Sequence, residues 1–284
     1  MSGTRYKLLA VDLDGTLLDS QGRLSAANRA ALHRAHEAGL RVCLCTGRCL
    51  TETRPVIEQI GLDLDHAVVV CGAIVSDART GATLHCDALD EAAADEICRF
   101  FLDRGYSVAV LHDAWSTGFD YSLVRGQTYH EGFGRWFSVM PCTVRPHATG
   151  QPWPAPPVRA TVIESAGKLE ALSPQVRAAF PADRTRFNFI HVPVYDVYVL
   201  EFFAPLVNKW YGVRKLCRRF GIAAAEVAAI GDAINDLELV AEAGLGLAVA
   251  NACPPVLAAA DVVTASNDED GVTEAVERIL AGAC

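Results

Sequence analysis

Residues 10–20 read AVDLDGTLLDS, and two carboxylates, Asp12 and Asp14, close the apolar run Leu8-Leu9-Ala10-Val11. Asp14-Gly15 between apolar segments is a hairpin signal. A hairpin leaves Asp12 without a reason. An acid at the end of a buried strand needs a partner, because an unpaired buried charge is costly. Strand alternation predicts that Asp12 and Asp14 face the same side. Two carboxylates that close raise each other's pKa unless a cation lies between them.

The rest of the chain bounds what that cation serves. Its 284 residues suffice for two domains, and a composition 51% hydrophobic and 21% charged is that of an ordinary globular protein. A net charge of −9 argues against a nucleic-acid partner. It leaves room for a small anionic substrate in a locally positive site. No stretch approaches the roughly 18 apolar residues of a membrane span. The run ending at Asp12 is too short for a signal peptide, so a cytoplasmic protein with no membrane partner is expected. The ten cysteines include Cys43 and Cys45 inside an apolar run, and Cys98 and Cys217 on apolar helix faces. They read as buried thiols, not as disulfides or zinc ligands.

Strand and helix signals alternate at both ends of the chain. Lys7 to Asp12 reads as a strand, followed by a helix from Ser25 to Ala38. Arg41 to Cys45 is a second strand, then comes a helix with Pro55 early in it and Gly61 after it. His66 to Cys71 is a third strand. The pattern resumes with a helix bearing Val213, Leu216, Cys217 and Phe220, a strand Val227 to Ile230, and a helical face of Leu237, Val240 and Ala241. Strands at 245–250 and 261–265 and a helix at 271–281 follow. Short apolar strands separated by helices predict a Rossmann-like parallel sheet covered on both faces. The middle is α+β: a helix at 90–104, an aromatic-rich segment at 106–112, a loop at 145–157 whose five prolines exclude regular structure, and strands at 159–164 and 196–203 with a helix between them. The expected organisation is a core of residues 1–86 and 199–284 with an inserted α/β cap of residues 87–198.

In open parallel sheets ligands bind at the carboxyl ends of the strands. Asp12, Asp14, Gly15 and Thr16 follow the first strand, and Thr46-Gly47-Arg48 follow the second. Asn208-Lys209 open the resumed helix, and Gly231-Asp232 with Asn235-Asp236 follow the next strand. Each group alone has an ordinary reading: Thr46-Gly47 a turn, Asn235-Asp236 a helix cap, Lys209 a surface lysine. Together they bring four carboxylates, a lysine and a threonine to one edge. Oxygen ligands of this kind suit Mg²⁺. A threonine hydroxyl, backbone N–H groups and a lysine suit phosphate oxygens, which is the equipment of phosphoryl transfer. Uncatalysed phosphate-monoester hydrolysis is slow enough that the site must remove on the order of 20 kcal/mol of barrier.

The set Asp12-Leu-Asp14-Gly15-Thr16, Thr46-Gly47-Arg48, Lys209 and Gly231-Asp232-x-x-Asn235-Asp236 resembles the four motifs of the haloacid dehalogenase superfamily. The insertion between the second and third motifs, and the ending Ser266-Asn267-Asp268-Glu269-Asp270-Gly271-Val272, resemble its Cof-type phosphatases, subclass IIB. The resemblance implies a covalent mechanism. Asp12 would be the nucleophile, forming an aspartyl-phosphate, and Asp14 the general acid and base. Asp12, the backbone carbonyl of Asp14, and Asp232 would bind Mg²⁺, with Asp236 supporting the metal site. Thr46, Gly47 and Lys209 would hold phosphate, and Asn235 would assist. The substrate would be a small phosphorylated metabolite such as a sugar phosphate or phosphorylated cofactor. A phosphomutase or phosphotransferase would use the same site, and a non-catalytic phospho-ligand-binding protein is a further reading. Cys71, Trp210 and Ala250 stand where such proteins often have Asn, Gly and Met-Gly.

In the insertion, seven aromatics from Trp115 to Phe137 fall within 23 residues and are expected to form its core. His112, Arg125, His130 and Arg135 are candidates to contact a substrate. The insertion is expected to set specificity and to move as a lid, with hinges near His85 to Asp87 and Glu201 to Pro205.

Overall fold

The structure is a computed structural model and describes residues 5–192 and 197–282. These residues form two compact units, one running up to Leu84 and resuming at Asn208, the other spanning His85–Val207.

The first unit opens with β1 (Leu8–Val11), α1 (Ala26–Glu37), β2 (Arg41–Cys45), α2 (Leu50–Ile60), β3 (His66–Val69) and β4 (Ile74–Asp77), and the boundary falls within β5 (Thr83–Cys86). The second unit holds α3 (Glu91–Leu102), β6 (Val108–Leu111), α4 (Ala114–Thr117), β7 (Tyr121–Val124), α5 (Glu131–Val139), β8 (Val144–His147), β9 (Arg159–Glu164), α6 (Ala166–Ala179), β10 (Arg186–Val192) and β11 (Val197–Phe203). The first unit then continues with α7 (Lys209–Phe220), β12 (Val227–Gly231), α8 (Leu237–Glu242), β13 (Leu245–Val249), α9 (Pro254–Ala259), β14 (Val262–Thr264) and α10 (Gly271–Ala281).

The first sheet has the order β14-β13-β12-β1-β2-β3-β4-β5. Strands β14 through β3 run parallel, as the alternation predicts, and apart from the edge strand β14 their residues are buried almost throughout. The departure is at one edge, where β4 returns antiparallel to β3 with Val69 opposite Ile74. A hairpin that short leaves no helix-length gap in the sequence, so the alternation rule does not register it. Trp210, Val213, Leu216 and Cys217 of α7 pack on the face that carries Leu8, Ala10, Cys43 and Cys45. The caps follow the local chemistry: the Ser25 hydroxyl accepts from the Asn28 N–H to start α1, and Gly61 and Gly221 end α2 and α7 in the left-handed conformation. Pro55 falls at the sixth position of the eleven-residue α2, not early in it.

Register is what matters for chemistry. Val11 of β1 lies opposite both Ile230 of β12 and Leu44 of β2. The three strands therefore end within one residue of one another. The residues that follow them, Asp12, Asp232 and Thr46, emerge side by side at one edge of the sheet.

The second unit has a sheet of order β10-β11-β9-β6-β7-β8, antiparallel except for the β7–β8 pair. Ile97 and Phe101 of α3 and Leu169 and Val176 of α6 pack against Val108, Val110, Ala160, Val162, Leu200 and Phe202 on one face. β8 corrects the expectation of an irregular loop after Arg145, since Arg145, Pro146 and His147 pair with Ser122, Leu123 and Val124. It is the edge strand, where a proline's missing N–H costs no ladder bond. β10 is an unforeseen strand. The strand expected from Asp196 begins in the description at Val197, and Asp196 lies outside the described residues.

The nine cysteines of the described residues are thiols. Burial pushes Cys43 and Cys98 up to about 12 and Cys217 to about 11. Thiolate is the reactive form, so these three should resist alkylation at neutral pH in the native protein. Denaturation without reductant should then expose all ten thiols of the chain to titration. A reproducible deficit of two would reveal a disulfide.

Candidate active site

The loop after β1 carries the first cluster. Asp12 is 4% exposed, and its N–H donates to the Ile230 carbonyl, which anchors the loop to β12. Gly15 turns the chain with φ +82° directly over Asp232, and an added Cβ would lie 2.5 Å from Asp232 Oδ2. Only glycine fits such a turn. The next residue, Thr16, donates its hydroxyl to Asp232 Oδ1 at 2.7 Å.

Lys209 is the first residue of α7 and is 1% exposed. Its place depends on Gly72, which follows β3 with φ +95°; a Cβ there would fall 2.0 Å from the Asn208 carbonyl oxygen. The close approach lets the start of α7 lie against the turn after β3. Lys209 Nζ donates to Asp12 Oδ1 at 2.6 Å and to Asp236 Oδ1 at 2.5 Å. The other oxygen of Asp236 accepts from the Asp232 and Ala233 N–H groups at 3.3 and 3.1 Å. The turn after β12 is thereby folded around its own carboxylate.

Asp12, Asp232 and Asp236 each offer a carboxylate oxygen within 4.8 Å of the others. Burial first, then repulsion from Asp236 and Asp232, raises the Asp12 carboxyl well above its ordinary range against the pull of Lys209. Burial and Asp236 raise Asp232 to about 7, against the Thr16 hydrogen bond. Burial works against the Lys209 ammonium, but the carboxylates of Asp12 and Asp236 outweigh it and hold its pKa well above 10.5. One amine faces three acids. The remaining negative charge and the all-oxygen donor set fit a hard divalent cation.

Asp14 is not in this group. β1 ends at Val11, and Asp14 lies in the turn that follows, after the buried Leu13. Its carboxylate is gripped by Arg48, Nε to Oδ2 at 2.8 Å and Nη2 to Oδ1 at 2.5 Å. Arg48 belongs to the loop after β2, where the Thr46 hydroxyl, 1% exposed, accepts from the Arg48 N–H at 3.1 Å.

The turn after β3 closes the other side of that loop. The predicted strand to Cys71 stops at Val69, and Val70 and Cys71 both take φ +53°, a left-handed conformation costly for non-glycine residues. Their N–H groups donate to the Arg48 and Thr46 carbonyls at 2.9 Å, which holds the strained turn. Asn235 Nδ2 reaches Cys71 Sγ at 3.7 Å and lies beside Gly47. Asn235 Oδ1 is buried with no hydrogen-bond partner among the described residues, so the amide keeps an acceptor for an incoming donor or cation. Asn235 and Gly47 thus adjoin, Lys209 joins Asp12 to Asp236, and Thr16 joins the β1 loop to Asp232. The partnerships of Thr16 and Arg48 escaped the sequence reading, although both residues stand within the motifs.

Within the second unit, the four candidate contact residues have local tasks. His112 is 1% exposed, bonded to Ser122 Oγ at 2.9 Å and set near the Phe119 and Trp153 rings, so it belongs to the interior. Arg125 lies over the Tyr129 ring, His130 caps α5 by accepting from the Gly132 N–H, and Arg135 pairs with Glu131. Phe119, Tyr121, Phe133 and Trp136 are buried, whereas Trp115 is 60% exposed.

A family model for haloacid dehalogenase-like hydrolases matches residues 9–276. The phosphoglycolate phosphatase of Methanothermobacter thermautotrophicus is 31% identical over 278 residues, which cover 96% of this chain and 99% of that protein. A 5-amino-6-(5-phospho-D-ribitylamino)uracil phosphatase of Bacillus subtilis, YcsE, is 26% identical over 274 residues, or 95% and 94% of the two chains. The solved structure of a sugar phosphatase of HAD subclass IIB superposes with a TM-score of 0.81 at 22% identity, covering 96% of this chain and 98% of that one. The chain belongs to the haloacid dehalogenase-like hydrolases.

Proposed function

We propose that the protein is a Mg²⁺-dependent phosphatase that hydrolyses a small phosphate monoester through an aspartyl-phosphate on Asp12. The observation that carries this reading is that β1, β2 and β12 end within one residue of one another, with Asp12, Asp232, Asp236 and Lys209 gathered at that edge. Asp12, Asp232 and Asp236, with the backbone carbonyl of Asp14, would hold the metal. Bound Mg²⁺ would neutralise charge on the phosphate and relieve repulsion among the acids. Thr46, the Gly47 backbone, Lys209 and Asn235 would bind the phosphate oxygens.

In the first step an Asp12 carboxylate oxygen attacks phosphorus, the bond to the ester oxygen breaks, and Asp14 gives that oxygen a proton. In the second, a water attacks the phosphorus of the acyl phosphate, Asp14 takes the water's proton, and inorganic phosphate leaves with the Asp12 carboxylate restored. Asp14 lies two residues from the nucleophile with its carboxylate outside the acid cluster, which sets its side chain apart from the three that would hold the metal. Discrimination among esters is assigned to the inserted segment, residues 87–198. The motif residues recognise only phosphate and metal, which every such ester shares. Relatives with different named substrates have similar identity to this chain, in keeping with specificity lying outside the motifs.

The test is turnover of an aryl phosphate and of a panel of phosphorylated sugars and cofactors, with Mg²⁺ and with excess chelator. Turnover should vanish with chelator and return with Mg²⁺. Undiminished activity in chelator would defeat the metal-assisted reading.

A further inference from the structure

Three asparagines outside the assigned site hold the loop that carries Asp12. Asn251, in the turn after β13, donates Nδ2 to the Gly15 carbonyl at 2.8 Å. Asn28, on α1, donates Nδ2 to the Leu17 carbonyl at 3.1 Å. Asn267, just before α10, donates Nδ2 to the Leu18 carbonyl at 2.9 Å. The side-chain oxygens of two of them are also committed. Asn251 Oδ1 accepts from the Asn267 N–H at 2.9 Å, and Asn28 Oδ1 accepts from the Thr273 N–H and hydroxyl, both at 3.0 Å. Three carbonyls within four residues are thus fixed from three separate segments. Inside that span Gly15 lies over Asp232 and Thr16 donates to it.

We propose that Asn28, Asn251 and Asn267 are positioning residues that set the Gly15–Leu18 turn, and through Thr16 the Asp232 carboxylate, against Asp12. Asn251 is the decisive member. Asn28 and Asn267 are 1% and 8% exposed, and a buried carbonyl needs a donor for stability alone. Asn251 is exposed, so water could satisfy both it and the Gly15 carbonyl. A side chain committed there in the presence of water constrains geometry more than it rescues a buried group. Partners that orient metal ligands are typically worth about 10–100-fold in metal affinity or activity. The consequence for turnover rests on the phosphatase reading; the consequences for loop order and Mg²⁺ binding do not require that any ester be hydrolysed.

The experiment compares Asn251→Ala with the wild-type chain by three measurements. Hydrogen exchange of the peptide spanning residues 12–20 should quicken in the variant, while the α7 peptide and the melting temperature stay nearly unchanged. Calorimetric titration with Mg²⁺ alone should show a dissociation constant raised about tenfold. For an aryl phosphate, kcat should fall about tenfold with KM within about twofold, as expected when ground-state binding survives and alignment is lost. Wild-type loop exchange, or wild-type Mg²⁺ affinity, in Asn251→Ala overturns the proposal. If the wild-type chain hydrolyses no ester, the phosphatase reading fails, and the exchange and calorimetry arms still decide this one.

Discussion

Asp12→Asn is expected to lose about 10⁴-fold or more in kcat while remaining folded, the scale seen when a covalent nucleophile is removed. The amide matches the carboxylate in size but has no charged oxygen to attack phosphorus. Stability should move the other way in metal-free protein. Asp12 is buried beside Asp236 and Asp232, and its carboxyl is raised well above the ordinary range. A carboxyl with a folded pKa above its unfolded value costs stability once the pH exceeds the unfolded value, because ionisation is then harder in the folded state. At neutral pH the neutral amide escapes that cost. Lys209 loses one partner but keeps Asp236 at 2.5 Å. The metal-free variant should therefore melt no lower than the wild type. Added Mg²⁺ should raise its melting temperature less, since a ligand stabilises in proportion to its affinity for the native state. Thermal melts with and without Mg²⁺, beside an aryl phosphate assay, check all three outcomes. Substantial residual turnover would remove Asp12 as the nucleophile.

The sequence was informative where one local rule acted alone. β2, β9 and α10 occupy the spans that their apolar runs and stop signals predict. The strand-end rule alone points to Asp12, Thr46, Asp232, Asn235 and Asp236, and the opening of the resumed helix to Lys209. What it missed depends on pairings across long separations. Thr16 meets Asp232 across 216 residues, and Asn267 reaches Leu18 across 249; no spacing rule links them. The pairing of Asp14 with Arg48 across 34 residues is likewise beyond any spacing rule. Val70 and Cys71 adopt left-handed backbone that their side chains disfavour, so propensity pointed to continued strand. Pro146 was read as a breaker without knowledge that β8 lies at a sheet edge. His112 is a candidate contact residue by sequence, and its neighbours on β7 and around Trp153 place it inside the second unit.

Lys209→Met should be the most destabilising single change in the site, and its cost should grow with pH. The lysine is 1% exposed and bonded to Asp12 and Asp236. Methionine fills much of the volume of the stem, so the loss is chiefly one of charge. Removing one partner from a buried ionic group typically costs about 3–5 kcal/mol, because the charges left behind stay buried and unpaired. Here three carboxylates remain within reach of one another. Asp12 and Asp232 already lie above the ordinary carboxyl range, Asp232 at about 7, with Lys209 pulling both down. Without the amine both should rise further. Between the unfolded carboxyl pKa and these raised values the folded chain holds more protons than the unfolded one, so stability falls as pH rises. Below the unfolded value the difference disappears. Melting temperatures of Lys209→Met without metal should therefore approach those of the wild type near pH 4 and drop increasingly below them up to pH 8. Saturating Mg²⁺ at neutral pH should recover part of the loss by replacing the missing positive charge. Adding Asp236→Asn should do the same by removing a negative one, giving a double variant more stable than Lys209→Met alone. A pH-independent difference in melting temperature would show that Lys209 stabilises by packing and not by balancing the acids.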